Sequence, residues 1–355
     1  MAKITLNVSL LRRRVPNLTT AARSAGLRPA TVSNLCTGKT PVGNAEVRTI
    51  VTLAQLAGCS LDELIIYQED MKIIETGINV IDLFAPIVFG GIVGLVARLG
   101  SGQISMTAEL CHRMNLSGYI TILWKPDIDE ALMSSIINNV KVICSTPEEV
   151  KKYILSIENE QHVLLVADRI VVLSGELMTL RESLENKTTS VITTVLIDVL
   201  GEAIDEDTPY GPLDTLLKFD FTLSKRGIYP ALDPVYSSSI AVEENLLEKD
   251  HLALHQRARR LLRRYRELDT LVNIQGEKIL KDNDIIAYRR GKRLEAFLSQ
   301  SSYVVELVTE IMGEWVQIKH TLNDVKRILD GEFDYIEPQL LSYIGRLPDN
   351  FEGSK

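Results

Sequence analysis

The densest chemistry in the sequence is cationic. The run from His255 to Arg266 carries six arginines in twelve residues: Arg257, Arg259, Arg260, Arg263, Arg264 and Arg266. A guanidinium serves phosphate and carboxylate equally well. The run is therefore expected as a second basic surface, to be weighed against an ordinary solvated helix face whose apolar side is Leu261, Leu262 and Tyr265. Other reactive side chains are scattered. His112, His162, His251, His255 and His320 show no metal-ligand spacing. Cys36, Cys59, Cys111 and Cys144 lie far apart without a C-x-x-C pair. No G-x-S-x-G elbow or H-E-x-x-H helix occurs. Neither a catalytic residue nor a metal site is expected.

The elements that must position these residues fall into contrasting stretches. The first 66 residues read as short helices and turns. Leu6, Leu10 and Leu11 share a helical face, and Thr19 precedes a second helix. Gly26 supplies a tight turn, and Pro29 opens a third helix in the first turn, where proline is accepted. A helix over 47–57 stops at Gly58, and Ser60 with Glu63 forms a capping box for a last short helix. From Met71, apolar β-rich runs at 91–96, 119–123, 140–144, 162–166, 190–196 and 219–224 alternate with helical stretches. That alternation predicts an α/β domain with a largely parallel sheet.

The 355 residues are 45% hydrophobic, 24% charged and 6% aromatic, enough for two or three domains with real cores and too apolar for a mainly disordered chain. The net charge of −8 is unevenly spread. Residues 1–66 hold eight Lys or Arg against Glu46, Asp62 and Glu63, a net +5, which leaves −13 on the other 289. Such a split points to a nucleic-acid-binding part. The apolar stretch 80–99 is interrupted by Asp82, Pro86, three glycines and Arg98, so no membrane span is expected. Unpaired cysteines fit a reducing, cytoplasmic compartment.

The string Leu18 to Leu35, with Gly38-Lys39 and the closing 53–64 segment, resembles the Cro/repressor-type (XRE-like) helix-turn-helix family. That resemblance implies a recognition helix in the major groove. Arg28, Pro29, Ala30, Thr31, Ser33 and Asn34 would face duplex DNA, and Thr20, Arg23 and Lys39 would touch its backbone. Pro29 and Ala30 stand where polar residues are usual, so base readout would be thin.

A second resemblance covers about residues 72–347. Glu75-Thr76-Gly77-Ile78-Asn79-Val80-Ile81-Asp82-Leu83-Phe84-Ala85-Pro86, Val163–Asp168, Gly227-Ile228-Tyr229-Pro230-Ala231-Leu232-Asp233-Pro234, Phe297–Gln300 and Leu329–Gly331 are similar to the ATP synthase β subunit. The resemblance implies a RecA-type nucleotide site, but its groups are damaged. Against G-x-x-x-x-G-K-[ST], the chain reads Ala97-Arg98-Leu99-Gly100-Ser101-Gly102-Gln103-Ile104-Ser105. Ala97 replaces the first glycine, Gln103 the lysine and Ile104 the Mg²⁺-binding hydroxyl. The Gly-Glu-Arg motif of the catalytic carboxylate is missing after Trp124. Asp168 and Tyr229 match the acidic strand end and the base-stacking aromatic, while the second aromatic gives way to Ser301-Ser302. Gly100 and Gly102 keep part of an anion nest, which allows residual ATP or ADP binding.

The reading is a multidomain chain: an all-α helix-turn-helix head (1–70), an α/β RecA-like parallel-sheet core with a degenerate phosphate loop (71–245) and a C-terminal helical domain (246–355). The expected function is a DNA-binding transcriptional regulator or DNA-organising protein. Its catalytically dead body would serve as an oligomerisation scaffold (dimer, ring or filament), without a cofactor, in the cytoplasm or on a bacterial nucleoid. Two alternatives are a slow nucleotide-controlled ATPase that regulates DNA binding and a pseudo-subunit that contacts ATP synthase.

Overall fold

A computed structural model describes residues 3–15, 18–68, 72–157, 161–184, 187–202, 210–244 and 246–348. It forms two compact units, Met1–Lys72 and Ile73–Lys355.

In the first unit, β1 (Lys3–Leu6) leads through α1 (Val8–Arg14), α2 (Leu18–Ser24), α3 (Pro29–Cys36), α4 (Val47–Ala57) and α5 (Leu61–Leu64) to β2 (Ile65–Gln68). The head is therefore not all-α. β1 and β2 pair antiparallel, with Leu6 opposite Ile65. Leu6 belongs to this strand and not to the first helix, because Asn7 caps α1 by accepting the Leu10 N–H at 3.0 Å. Leu11, Ala22, Val32, Leu35, Ile50, Leu53 and Leu64 form the head's core. Gly58 ends α4 at φ 58, in the left-handed region that glycine adopts without strain. Ser60 and Glu63 cap α5 reciprocally, at 3.2 and 2.9 Å.

The second unit runs β3 (Ile73–Ile74), α6 (Asn79–Phe84), β4 (Ile87–Val88), β5 (Ile92–Val96), α7 (Gln103–Leu116), β6 (Ile120–Trp124), α8 (Glu130–Ile137), β7 (Val142–Cys144) and α9 (Pro147–Ser156). It continues with β8 (His162–Asp168), α10 (Ile170–Leu173), α11 (Glu176–Leu184), β9 (Val191–Ile197), β10 (Thr215–Lys218), α12 (Phe221–Lys225), β11 (Ser238–Ser239) and α13 (Ile240–Glu243). The long helices α14 (Lys249–Gln275) and α15 (Asp282–Phe297), then α16 (Glu306–Thr309) and α17 (Ile318–Asp330), complete it. The main sheet has seven strands in the order β11-β10-β5-β9-β8-β6-β7. All neighbours are parallel except β11, which runs antiparallel on the edge.

Successive side chains alternate between the two faces of this sheet, as the strand period requires. Leu164 and Val166 join a core shared with Leu254, Ala258, Leu294, Phe297, Val325 and Ile328 of the C-terminal helices. Val163, Leu165 and Ala167 join a second core with Val150, Ile154, Leu177 and Leu180. Sheet and C-terminal helices thus share one interior. The strand expected over 219–224 lies earlier, at Thr215–Lys218. Asp220 accepts the Thr222 N–H at 2.7 Å and starts α12 there, so the apolar run straddles a strand end and a helix start.

α14 and α15 approach closely at Gly291, where an added Cβ would lie 2.3 Å from Tyr265 Cβ. A clash with a Cβ cannot be relieved by a rotamer change. Gly291→Ala is expected to destabilise the protein by about 1–3 kcal/mol, the usual cost of overpacking, as read from urea unfolding.

α14 also holds α6 through paired histidines. His251 Nε2 and His255 Nδ1 both donate to the Leu83 carbonyl oxygen, at 3.3 and 3.1 Å. Burial lowers both pKa values; Glu248 opposes this for His251, and Arg259 adds to it for His255. In acid the unfolded chain takes up protons that the native pair resists, so this stabilisation is lost as pH falls below about 6.5. The Tm gap between wild type and His251→Asn/His255→Asn is expected to narrow from pH 7 to pH 5.

Candidate functional site

The loop between β5 and α7 sits where a phosphate cradle would be. Gly100 and Gly102 take φ of 82 and 94, and Gly102 precedes the first turn of α7. The groups that would engage a nucleotide are turned to other uses. Gln103 Nε2 donates to the Asp198 carbonyl at 2.6 Å, which ties the start of α7 to the end of β9. The chain at Gly201 comes so close that a Cβ there would lie 2.7 Å from Leu99 N. Ile104 has no hydroxyl to offer a metal. Ser101 Oγ and Gln103 Oε1 are buried without a hydrogen bond. Both are neutral, and Oε1 accepts hydrogen bonds, as phosphate oxygens do, so it gives an anion nothing. These residues do not fit a Mg²⁺-nucleotide. Arg98 and Leu99 are exposed, and Ser105 is half-buried on α7.

Asp168 ends β8 with both oxygens occupied. Oδ1 accepts the Ile170 N–H at 3.0 Å and Oδ2 the Val199 N–H at 3.1 Å. Burial nonetheless raises its pKa. The carboxylate caps one turn and joins the ends of β8 and β9. After β6, Lys125 pairs with Glu130 at 2.6 Å and Asp129 caps α8, while Asp127 is exposed. Among the described residues no group of His, Cys, Asp and Glu could hold a metal ion.

Tyr229 lies against the main core with its hydroxyl buried and without a hydrogen bond. Its backbone is fixed by the C-terminal helical part: Gln300 N–H donates to the Tyr229 carbonyl at 2.8 Å, and Tyr229 N–H donates to Tyr343 Oη at 3.1 Å. Ser301 and Ser302 are buried too, and Ser302 donates to Glu109 Oε2 at 2.6 Å. The base-pocket segment is thus fastened to the core.

What these strands and helices converge on instead is a knot around Thr76 and Gly77. Buried Asp82 accepts from the Thr76 N–H (2.9 Å), the Thr76 hydroxyl (2.7 Å) and the Gly77 N–H (2.9 Å). On the carbonyl side, Arg113 donates to Thr76 O (3.3 Å), Gly77 O (2.9 Å) and Glu314 O (2.9 Å). Gln300 Nε2 bridges Gly77 O and Glu314 O, while its Oε1 accepts the Asn79 N–H. Arg113 is also paired with Glu109 at 2.6 Å, both about 1% exposed, and its guanidinium lies over Tyr303 and Trp315. The sequence marked Thr76, Gly77, Asp82 and Gln300 only through a resemblance. Glu109 and Arg113 went unremarked, their spacing of four on one helix being the sole signal.

The arginine run is largely consumed inside the chain. Arg257 pairs with Asp330, Arg264 with Glu267 and Asp284, and Arg266 with Asp233. Arg259 donates to Val235 O and Arg260 to Gln256 O. Of the six, Arg263 alone makes no hydrogen bond or ion pair among the described residues, so most of the run expected as a second basic surface has partners within the chain. In the head, Thr20, Arg23, Arg28, Ala30, Thr31, Ser33, Asn34 and Lys39 are exposed and Pro29 is half-buried. Part of the head's positive charge is committed within it, since Arg14 donates to the Gly58 carbonyl at 2.8 Å beyond the end of α4.

The C-terminal domain of V and A type ATP synthase matches residues 241–336. The fold is similar to that of a unique ATP synthase subunit, NeqB from Nanoarcheaum equitans. The TM-score is 0.59 at 17% identity over 73% of this chain and 76% of that one. These similarities support the ATP synthase-like, α/β part of the expected architecture and its C-terminal helical region. They overturn the reading of a DNA-binding regulator whose partners are duplex DNA and further copies of itself, because what the chain resembles are ATP synthase subunits. Among the described residues no helix is long and apolar enough to cross a membrane.

Proposed function

We propose that the chain is a non-hydrolysing pseudo-subunit that binds components of an ATP synthase. The carrying observation is the β5–α7 loop, where Gln103 is bonded to the neighbouring strand end and Asp168 is spent on two backbone N–H groups. Phosphoryl transfer relies on positioned positive charge and a metal; this loop has no lysine at Gln103 and no hydroxyl at Ile104, and its one cation, Arg98, is exposed. A body that keeps the fold without the chemistry is suited to contact. We read the repressor-like head as a module reused for contact with protein.

The test is co-purification of the full chain with the catalytic and non-catalytic headpiece subunits of an ATP synthase, without DNA, alongside a phosphate-release assay. A stable complex and phosphate release at background are expected. Steady phosphate release that Asp168→Ala abolishes would refute the inactive site, and no complex with any subunit would refute the partner.

A further inference from the structure

Beyond α17 the chain returns across the helical part, and residues 342–347 fasten it there like a strap. Tyr343 N–H donates to Ser299 Oγ at 3.1 Å, just past α15. The Gly345 carbonyl accepts from Asn79 Nδ2 of α6 at 2.9 Å, and Leu347 N–H donates to Asp324 Oδ2 of α17 at 2.9 Å. The Leu347 side chain is buried. The fourth hold is the Tyr343 hydroxyl. It accepts the Tyr229 N–H at 3.1 Å and donates to the Gly227 carbonyl, so one oxygen grips both ends of the 227–229 loop that follows α12.

The middle of this strap is held in a costly shape. Tyr343 has φ 60. For a bulky L-residue this left-handed region is an outlier, because Cβ crowds the following carbonyl oxygen. Such a conformation persists only where the surroundings over-determine it. Here the hydroxyl grip, together with the Ser299 bond, supplies that hold from a half-buried residue. Without the grip, Tyr343 itself favours a return to negative φ, which swings Gly345 and Leu347 off their partners. The gripped loop is reachable from solvent, since Arg226 and Gly227 are exposed. We infer that residues 342–347 are a cocked strap with Tyr343 as its latch, so that a contact drawing the 227–229 loop away lifts the strap as one piece and frees Asn79 and Asp324. The exposed loop is thereby a trigger site, coupled to α6 and α17 through a two-state element. This inference does not depend on the function proposed above.

The experiment follows backbone amide exchange by NMR at Tyr229 and Leu347 in the full chain, for wild type, Tyr343→Phe and Tyr343→Asn. Thermal unfolding verifies that each variant folds. Tyr343→Phe keeps the ring and the strained backbone but loses the grip. Both amides are expected to exchange roughly tenfold faster, the loss of about one hydrogen bond at each. Tyr343→Asn also loses the grip, but asparagine enters the left-handed region readily. Its Tyr229 amide is expected to speed up equally, while Leu347 stays within about threefold of wild type. The less conservative change thus disturbs the strap less, which lost packing alone does not produce. Should Tyr343→Asn fail to fold, Tyr343→Gly replaces it, because glycine takes this φ without strain. An unchanged Leu347 amide in Tyr343→Phe would overturn the latch. Equal acceleration of Leu347 in both variants, or a Tyr229 amide that neither variant accelerates, would overturn it as well.

Discussion

Replacing Arg113 with alanine is expected to destabilise the protein by about 3–5 kcal/mol, the cost of breaking one side of a buried ion pair. The substitution strands the Glu109 carboxylate at about 1% exposure and leaves the carbonyls of Thr76, Gly77 and Glu314 short of a donor. At 2–4 °C per kcal/mol for a unit of this size, the Tm falls by roughly 6–20 °C. Glu109→Gln/Arg113→Met, which removes both charges and keeps much of the volume, is expected to lose less than the two single variants together. Strict additivity in that double-mutant cycle would show that the pair does not act as a unit.

Asp82→Ala is the second large effect. It leaves two backbone N–H groups and one hydroxyl without an acceptor in a fully buried site, a loss on the order of 3–5 kcal/mol. The pH dependence separates this group from the histidines. Burial is the dominant influence on Asp82 and pushes its pKa up from 3.8 to about 7, against the pull of its three hydrogen bonds. Between those values the native state holds a proton that the unfolded chain has released, so this group's contribution falls as pH rises from about 4 to 7. The histidine pair works in the opposite sense over the upper part of that window. Asp82→Asn is expected to abolish the Asp82 component, so that its stability declines more steeply than wild type on acidification from pH 7 to pH 5. An unchanged slope in urea titrations would refute the raised pKa.

Local features were legible in the sequence because their causes are local. Gly58 stops α4, Ser60 and Glu63 cap α5, and the parallel strands announce themselves as apolar runs between helices. What escaped depends on partners far along the chain. β1 finds β2 some 60 residues later, so the head reads as all-helical when taken piecewise. The arginines of α14 look like an open cationic face until Asp233, Asp284 and Asp330 arrive to meet them. The loss of lysine at Gln103 was readable, whereas the bond from Gln103 to Asp198, 95 residues away, was not.

The knot at Thr76 and Gly77 also orders events in time. Glu109 waits for Ser302, 193 residues later, and Arg113 waits for Glu314, 201 residues later. At ribosomal rates of 5–20 residues per second, that interval is roughly 10–40 s. A nascent chain therefore has its sheet elements long before their charged centre can be sealed. The stretch from Ser302 to Glu314 closes this centre, and a chain truncated before Ser302 would expose an unfinished ionic core as a ready signal for quality control.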